Sequence, residues 1–254
     1  MTRQTWNMLS FSGIQHRYSK PETLNINAHA KLRYKPDIRS YSDAEHINLV
    51  PLLGSEFAQA MMHYPIIFAG TEKMPFAVMG LLKDHNFFVK DGQFEEGAYI
   101  PAYLRRHPFT LDSSNSDQLV VCIDRAAAGF VTGSDGEALF ENGKPSEFIK
   151  YAMDFLVELE IEMDRTRTLI DAINDAGILE AAKMAFAAPG YQELTIDYYA
   201  VAEARLRALG DKQLASLMRS GAMASIDAHL LSLQRWNLLL ARNAASSHSN
   251  LHDA

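Results

Sequence analysis

The segment that decides the fold is residues 146–177, SEFIKYAMDFLVELEIEMDRTRTLIDAINDAG. Apolar or small side chains recur in it at alternating steps of three and four residues, which is the a/d pattern of a helix that buries one stripe. The stripe consists of Ile149, Ala152, Leu156, Leu159, Met163, Thr166, Ile170 and Ile173. Ser146 suits the N-cap and Gly177 the position after the C-cap. The segment therefore predicts one amphipathic helix of about 30 residues, roughly 45 Å long.

A helix of that length needs more than a small sheet to cover its apolar stripe. Its outer face is acidic in the middle, with Glu158, Glu160 and Asp164, which opposes a parallel copy in register. The C-terminal run 222–242 carries leucines together with Arg235 and Arg242, and Arg219 precedes it. We expect the long helix to pack antiparallel on 222–242, within one chain or exchanged between two. A homodimer that buries the rest of the stripe is the further expectation.

Short apolar runs and turn signals surround the long helix. Strands are predicted at 66–69, 76–82, 86–90, 119–124, 179–186 and 191–199. Turns are predicted at Asp91-Gly92, Asp135-Gly136, Asn142-Gly143 and Pro189-Gly190. Shorter helices are predicted at 55–64 with Ser55 as N-cap, at 102–106, at 211–219 with Asp211 as cap, and at 222–242.

This order of elements indicates an α+β fold with a mixed, largely antiparallel sheet, a long amphipathic helix and C-terminal helices. We interpret residues 24–243 as one domain, 1–23 as an N-terminal arm or early edge strand, and 244–254 as a frayed tail. Lys144-Pro145 is the candidate boundary inside the domain.

Composition and charge restrict the function classes. The net charge of −7 argues against non-specific nucleic-acid binding, which needs lysine and arginine to neutralise phosphates. No apolar run is long enough to insert into a membrane. No secretory signal peptide is visible, so we expect a cytoplasmic location, with leaderless export to the cell surface as the alternative. Cys122 is the single cysteine, which excludes an intrachain disulfide, and its apolar neighbours predict an inert core thiol.

No short catalytic motif occurs in the sequence. It has no phosphate-binding Gly-rich loop, no Gly-x-Ser-x-Gly, no His-Glu-x-x-His, and no His-x-His or His-x-Asp spacing among its nine histidines. We therefore expect no cofactor and no metal held by a short motif. A site assembled from distant residues stays open.

The densest group of functional side chains is YIPAYLRRHPF at 99–109. Its candidate anion-site residues are Tyr99, Tyr103, Arg105, Arg106 and His107. Guanidinium groups suit carboxylate or phosphate, while the alternative is that the arginines pair with internal carboxylates and the aromatic rings belong to the core. Adjacent helical residues point about 100° apart, so we expect one arginine to face inward, paired with a carboxylate or a ligand, and the other to face solvent.

Three further residues are secondary candidates. His229 lies three residues after Ile226 and four before Leu233 on an apolar helix face, so a hydrogen-bonded core histidine is favoured over a ligand. His29 and Arg33 are four residues apart, on a helix or a strand, and their role is open.

Several segments together resemble the SapC-like family. Residues 99–106 followed by Pro108-Phe109 are similar to its YIPAY-RRYPF signature, and residues 228–233 to its AHLLSL segment. The remaining matching segments are Glu56-Phe57 with 64–68, Gly80 with 86–89, and the H-x-x-L-R at 29–33. The resemblance spans about 24–242. It departs at His107, where the family usually has tyrosine, and at 225–227, where the family is more apolar. Residues 1–23 have no clear counterpart.

The resemblance implies a link to a bacterial surface layer or envelope. Similar proteins are often encoded beside flavin-dependent halogenase-like proteins and outer-membrane receptors, which implies the handling of a small anionic molecule or a surface glycan. Our leading hypothesis is a non-catalytic accessory or binding protein. The alternative is an enzyme, or a partner of halogenase-like systems, with an anion-binding cleft of Arg105, Arg106 and His107 beside His29 or His229.

Overall fold

The structure is a computed structural model that describes residues 4–7, 18–35, 41–112, 120–188 and 191–252. Its strands are β1 (Gln4–Asn7), β2 (Pro21–Thr23), β3 (Leu32–Tyr34), β4 (Leu49–Pro51), β5 (Ile66–Ala69), β6 (Met74–Val78), β7 (Val89–Lys90), β8 (Gln93–Phe94), β9 (Phe109–Asp112), β10 (Val120–Asp124), β11 (Phe130–Thr132), β12 (Glu137–Ala138), β13 (Phe140–Glu141), β14 (Lys144–Pro145), β15 (Leu179–Ala188) and β16 (Tyr191–Val201). Its helices are α1 (Ile26–His29), α2 (Phe57–Ala60), α3 (Ala102–Arg105), α4 (Glu147–Asp175), α5 (Glu203–Arg207), α6 (Asp211–Arg219), α7 (Ala222–Ser232) and α8 (Trp236–His252), with 3-10 turns at Ser42–His46, Gly54–Glu56 and Leu233–Arg235.

The main sheet confirms the predicted α+β class. It has the order β1-β16-β5-β6-β4, and β15 forms a long antiparallel hairpin with β16. Its strands pair antiparallel except β1, which runs parallel to β16. β5 is buried at all four positions, which explains why it reads as an unbroken apolar run. None of the helices in the part of the chain that the structure describes is long and apolar enough to cross a membrane.

Two small sheets form a second core beside the main one. They have the orders β2-β10-β9 and β11-β3-β12, and all their pairs are antiparallel. Cys122 on β10 is buried and free, and burial raises the pKa of its thiol, as expected for a core cysteine. Asp91 and Asn142 both adopt the positive φ that the predicted Asp91-Gly92 and Asn142-Gly143 turns require. The predicted turn at Pro189-Gly190 lies outside the described residues.

The long helix α4 confirms the central prediction from sequence. Ser146 Oγ accepts a hydrogen bond from Ile149 N (3.3 Å), and Gly177 follows the helix with a φ of 69°. All eight stripe positions are buried or half-buried. The one polar position is also satisfied, because Thr166 Oγ1 accepts from Gly54 N (2.9 Å) and donates to Glu162 O (2.7 Å).

The partners of α4 differ from the single antiparallel helix that we expected. The stripe packs on several elements in turn, including β14 and β9 at its start, the 3-10 turn Gly54–Glu56 in its middle, and α7. Both arginines of α4 pair within the helix, Arg165 with Glu158 and Glu162 and Arg167 with Asp164. Arg242 instead pairs with Glu95. The stripe is thus covered within the chain, and the expected homodimer stays a prediction.

Three of the predicted shorter helices also differ from the sequence prediction in their ends or continuity. The predicted helix 222–242 is broken at Leu233–Arg235, and its second half continues to His252, through most of the expected tail 244–254. Ser55 is not an N-cap, because it lies inside the 3-10 turn Gly54–Glu56, whose N-cap is Leu53. Asp211 is the first residue of α6 rather than its cap, which is Gly210.

Replacing the cap of α4 tests its local stability. Ser146 is buried, and its Oγ also donates to Ala138 O (2.5 Å). Ser146→Ala removes both bonds, so we expect a loss of about 1–2 kcal/mol in the free energy of unfolding. Urea denaturation followed by circular dichroism measures it. The control is Ser216→Ala on α6, an exposed serine, which should change the value by less than about 0.5 kcal/mol. Equal effects of the two substitutions would contradict the capping role.

Candidate anion site

The short helix α3 is held in place by a buried carboxylate. Glu56 Oε1 accepts hydrogen bonds from Ala102 N, the first residue of α3, and from Tyr99 Oη, both at 2.7 Å. Burial and the hydrogen bond to this carboxylate raise the pKa of the Tyr99 hydroxyl above its ordinary value. Tyr99 is therefore a neutral donor that fixes the start of the segment, and Glu56 orients the helix that carries Arg105 and Arg106.

Arg106 is the inward arginine of the pair. It is half-buried, and its guanidinium carbon lies 4.2 Å from the ring centre of Tyr103 and 5.7 Å from that of Tyr18. Its Nε is buried without a hydrogen-bond acceptor, and among the described residues no carboxylate pairs with it. Aromatic faces attract a cation but accept no strong hydrogen bond. The guanidinium of Arg106 is thus positioned by the two tyrosine rings, and no internal carboxylate among the described residues accepts its hydrogen bonds.

Arg105 is the outward arginine and is exposed. Its Nε donates to Ile100 O (3.1 Å), and its guanidinium lies 5.4 Å from the ring centre of Phe155 on α4. The two arginines therefore differ in burial and in partners. The structure confirms the inward and outward orientation expected from their adjacency in a helix.

His107 faces two carboxylates. Its Nε2 lies 3.4 Å from Asp43 Oδ2 and 3.6 Å from Asp124 Oδ2, and its side chain is almost fully buried. Burial opposes ionisation of Asp124, but hydrogen bonds from Ser19 N, Lys20 N and Ala126 N, together with His107, hold the pKa of this carboxyl below its ordinary value. One ring nitrogen of His107 is thus committed to internal acids, which leaves the arginines as the cationic groups for a ligand.

These side chains border a cavity of about 280 Å³. It lies between α3, the start of α4, β3 and β9. Its lining consists of Tyr34, Arg105, Arg106, His107, Phe109, Phe148, Tyr151, Ala152, Phe155 and Leu156. Tyr103 lies beneath Arg106, while Tyr99 borders a separate, neighbouring pocket together with Arg105 and His63. The five predicted residues thus divide into three on the cavity wall and two that support the arginines.

The secondary candidates His29 and Arg33 do not border this cavity. Both make hydrogen bonds that hold neighbouring backbone in place. His29 Nδ1 accepts from Asn25 N (3.1 Å), and its Nε2 lies 3.3 Å from Glu22 Oε1. Arg33 Nε donates to the carbonyl groups of Asp135 (3.1 Å) and Gly136 (2.9 Å), which fixes the turn between β11 and β12.

His229 is a core histidine, as its helix face predicted. It is fully buried, its Nε2 accepts from Val201 N (3.1 Å) and its Nδ1 donates to Ile66 O (2.8 Å). Burial lowers the pKa of its imidazole to about 4, although the bond to Ile66 O opposes the shift. Ser232 Oγ accepts from Ile66 N (2.9 Å) on the same strand. His229 and Ser232 thus connect α7 to β5 and β16.

The sequence model of the SapC family matches residues 24–239. The chain belongs to the SapC family. No curated protein and no solved structure shows significant similarity to it.

The segments that resemble the SapC family can now be given physical roles. The Tyr-Ile-Pro-Ala-Tyr segment contains Ala102, whose N–H donates to Glu56, and Tyr103, whose ring lies beneath the Arg106 guanidinium. The Ala-His-Leu-Leu-Ser-Leu segment supplies His229 and Ser232, which bind the main sheet. The segment that ends in Arg33 brings Tyr34, the next residue, to the cavity. Only the first and last of these segments contribute to the candidate site.

Sequence reasoning missed most of the cavity wall. Phe148, Tyr151 and Phe155 come from α4, and Tyr34 comes from β3. A signal for the first three was present, because aromatic residues spaced by three and four lie on one side of a helix. Nothing local indicated that this side faces the arginines. Among the described residues there is no group of three His, Cys, Asp or Glu side chains placed to hold a metal ion.

Proposed function

We propose that this SapC-family chain is a non-catalytic binding protein that holds a small anionic molecule in the cavity beside Arg105 and Arg106. One observation carries the proposal: Arg106 borders the cavity, is half-buried, and has no carboxylate partner among the described residues. A buried cation without a counter-charge is unfavourable. An anionic ligand would supply that charge.

The positions of the three candidate histidines favour binding over catalysis in the cavity beside Arg106. His29 and His229 lie outside the cavity and bind structural groups, and His107 faces Asp43 and Asp124. The histidine with the large pKa shift, His229, is fully buried in the core. A catalytic cleft would bring a titrating group and the arginines together around one ligand.

Small anions should stabilise the protein through Arg106. We expect at least one of acetate, benzoate and inorganic phosphate, at millimolar concentration, to raise the melting temperature of the wild type, because ligands that bind the native state stabilise it. Arg106→Met should abolish the increase. The free energy of unfolding of this variant should change by no more than about 1 kcal/mol, since the substitution removes the cation–π contacts with Tyr103 and Tyr18 together with an uncompensated charge.

The matched control is Arg219→Met, which removes the same charge from an exposed position on α6. It should retain the full anion effect. Anion stabilisation that survives in Arg106→Met, or no stabilisation by any of the three anions, would contradict the proposal. Conversion of a bound anion into a new compound, detected by mass spectrometry, would contradict the non-catalytic part.

We propose that this binding role is linked to the bacterial surface layer or envelope, in preference to the cytoplasmic location expected from the sequence. The support for this location is the family to which the chain belongs. Fractionation of the native bacterium should recover the protein with the envelope. Recovery in the cytosol alone would contradict the location and leave the binding site unaffected.

A further inference from the structure

The walls of the cavity are aromatic to an unusual degree for so small a space. Five of its ten lining residues carry aromatic rings other than histidine: Tyr34, Phe109, Phe148, Tyr151 and Phe155. Tyr34 and Phe148 lie with ring centres 6.0 Å apart and planes 14° from parallel, and Phe109 stands edge-on to both, at 5.7 Å from each. Such offset and edge-on contacts are mutually favourable, so these three rings support one another.

The two arginines at the cationic end of the cavity also contact aromatic rings. The guanidinium groups of Arg105 and Arg106 each lie over an aromatic ring, of Phe155 and Tyr103 respectively. An aromatic face beneath a guanidinium takes none of its N–H groups as a strong hydrogen-bond partner, so the terminal N–H groups can form the fork that matches a carboxylate, while Nε of Arg106 is buried. One end of the cavity therefore suits a single planar anion, while the rest suits an apolar ring.

From this arrangement, and resting on the proposed anion-binding function, we propose that the ligand is an aromatic carboxylate of one or two fused rings. The ring would lie among Tyr34, Phe148 and Phe155, and the carboxylate would accept hydrogen bonds from Arg106. The volume of about 280 Å³ lies just below the usual range of roughly 300–1,000 Å³ for ligand pockets, which agrees with a small molecule.

The same lining disfavours a sugar. A glycan unit carries several hydroxyl groups, and each one that is buried without a partner is costly. The side chains of Phe109, Phe148, Ala152, Phe155 and Leu156 offer no hydrogen-bonding group. An aromatic ring needs no such partners, so this apolar half of the lining favours it over a polyhydroxylated ring.

Tyr151 provides a wall position that can be altered without harming the fold. It is 78% exposed although it borders the cavity. Tyr151→Ala should therefore weaken the ligand contact with little effect on stability. Met153→Ala is its control, because Met153 is an exposed apolar residue of the same helix and does not border the cavity.

Calorimetric titration of the wild type with four probes tests the ligand class. We expect naphthoate to bind more tightly than benzoate, benzoate more tightly than acetate, and naphthalenemethanol, which has the ring but no charge, more weakly than naphthoate. In Arg106→Met, naphthoate should bind roughly tenfold to hundredfold more weakly, the range expected when hydrogen bonds to a charged group are lost. Tyr151→Ala should weaken naphthoate severalfold, and neither Met153→Ala nor Arg219→Met should change it.

The outcomes separate the ligand class from the proposed function. If acetate binds as tightly as the two aromatic acids, the ligand class is wrong and anion binding stands. If naphthalenemethanol binds as tightly as naphthoate, the carboxylate is not recognised and the ligand class is again wrong. If no anion binds, both are wrong. The comparison among probes uses the wild type alone, so it decides the question even where a variant fails to fold.

Discussion

Removal of the Glu56 side chain should produce the largest loss of stability among the substitutions considered. The side chain is buried, and its oxygens accept from Leu53 N (2.9 Å), Ala102 N (2.7 Å) and Tyr99 Oη (2.7 Å). Glu56→Ala leaves three donors without this acceptor. Each hydrogen bond to a charged group contributes about 1.5–3 kcal/mol and the three are not additive, so we expect a loss of about 3–5 kcal/mol in the free energy of unfolding.

A graded series makes the measurement specific. Tyr99→Phe removes one of the three bonds and should cost about 1.5–3 kcal/mol. Glu96→Ala removes an exposed carboxylate of the same charge and should stay within about 0.5 kcal/mol. Urea denaturation of the variants at neutral pH gives the values. A loss in Glu56→Ala no greater than that in Tyr99→Phe would show that Glu56 does not organise the segment.

The long helix was predictable because its signals are local. The N-cap serine, the apolar stripe and the terminal glycine all lie within residues 146–177, and α4 begins and ends where they indicate. The break at Leu233–Arg235 was not predictable, because no glycine or proline marks it. There the chain is held by tertiary contacts instead: Ser232 bonds to β5, and the Trp236 ring packs on Tyr198 at 5.6 Å. Tertiary contacts override helix propensity at such a point.

The candidate site was predictable only in its cationic half. Arg105, Arg106 and their supporting tyrosines are neighbours in sequence, so their density was visible. The aromatic half comes from Tyr34 and from the start of α4, which are distant from them along the chain. In the sequence, Glu56 stood out only as part of a segment that resembles the family, at the start of a predicted helix. Its role depends on Tyr99 and Ala102 approaching it across the fold, which no short-range pattern encodes.

Acid should destabilise the protein through His229. The imidazole is neutral in the native state, where burial lowers its pKa to about 4, whereas its ordinary value is 6.5. Between these values the unfolded chain binds a proton that the native chain does not, so the stability from this group is complete above pH 6.5 and is lost as the pH falls towards 4. The difference in pKa corresponds to about 3 kcal/mol.

The variant His229→Gln isolates this contribution, because it retains an acceptor for Val201 N and does not titrate. We expect it to be about 1–3 kcal/mol less stable than the wild type at pH 7, since the bond to Ile66 O is impaired. The two proteins should converge in stability as the pH falls from 6.5 to 4. Carboxyl groups with a lowered pKa, such as those of Asp124 and Glu95, also contribute less to the free energy of unfolding in acid. This loss is the same in both proteins, so it cancels in the difference between them.

The exposed His46 supplies the control. His46→Gln changes a surface side chain outside the packed core, so the loss of stability of the wild type between pH 6.5 and 4 should persist in it. Urea denaturation at a series of pH values between 4 and 7 gives the free energy of unfolding for all three proteins. A constant difference between wild type and His229→Gln across that range would mean that His229 does not hold its neutral form in the native state. Convergence specific to His229→Gln would identify the contact of α7 with β5 and β16 as the acid-sensitive part of the core, separate from the cavity beside Arg106.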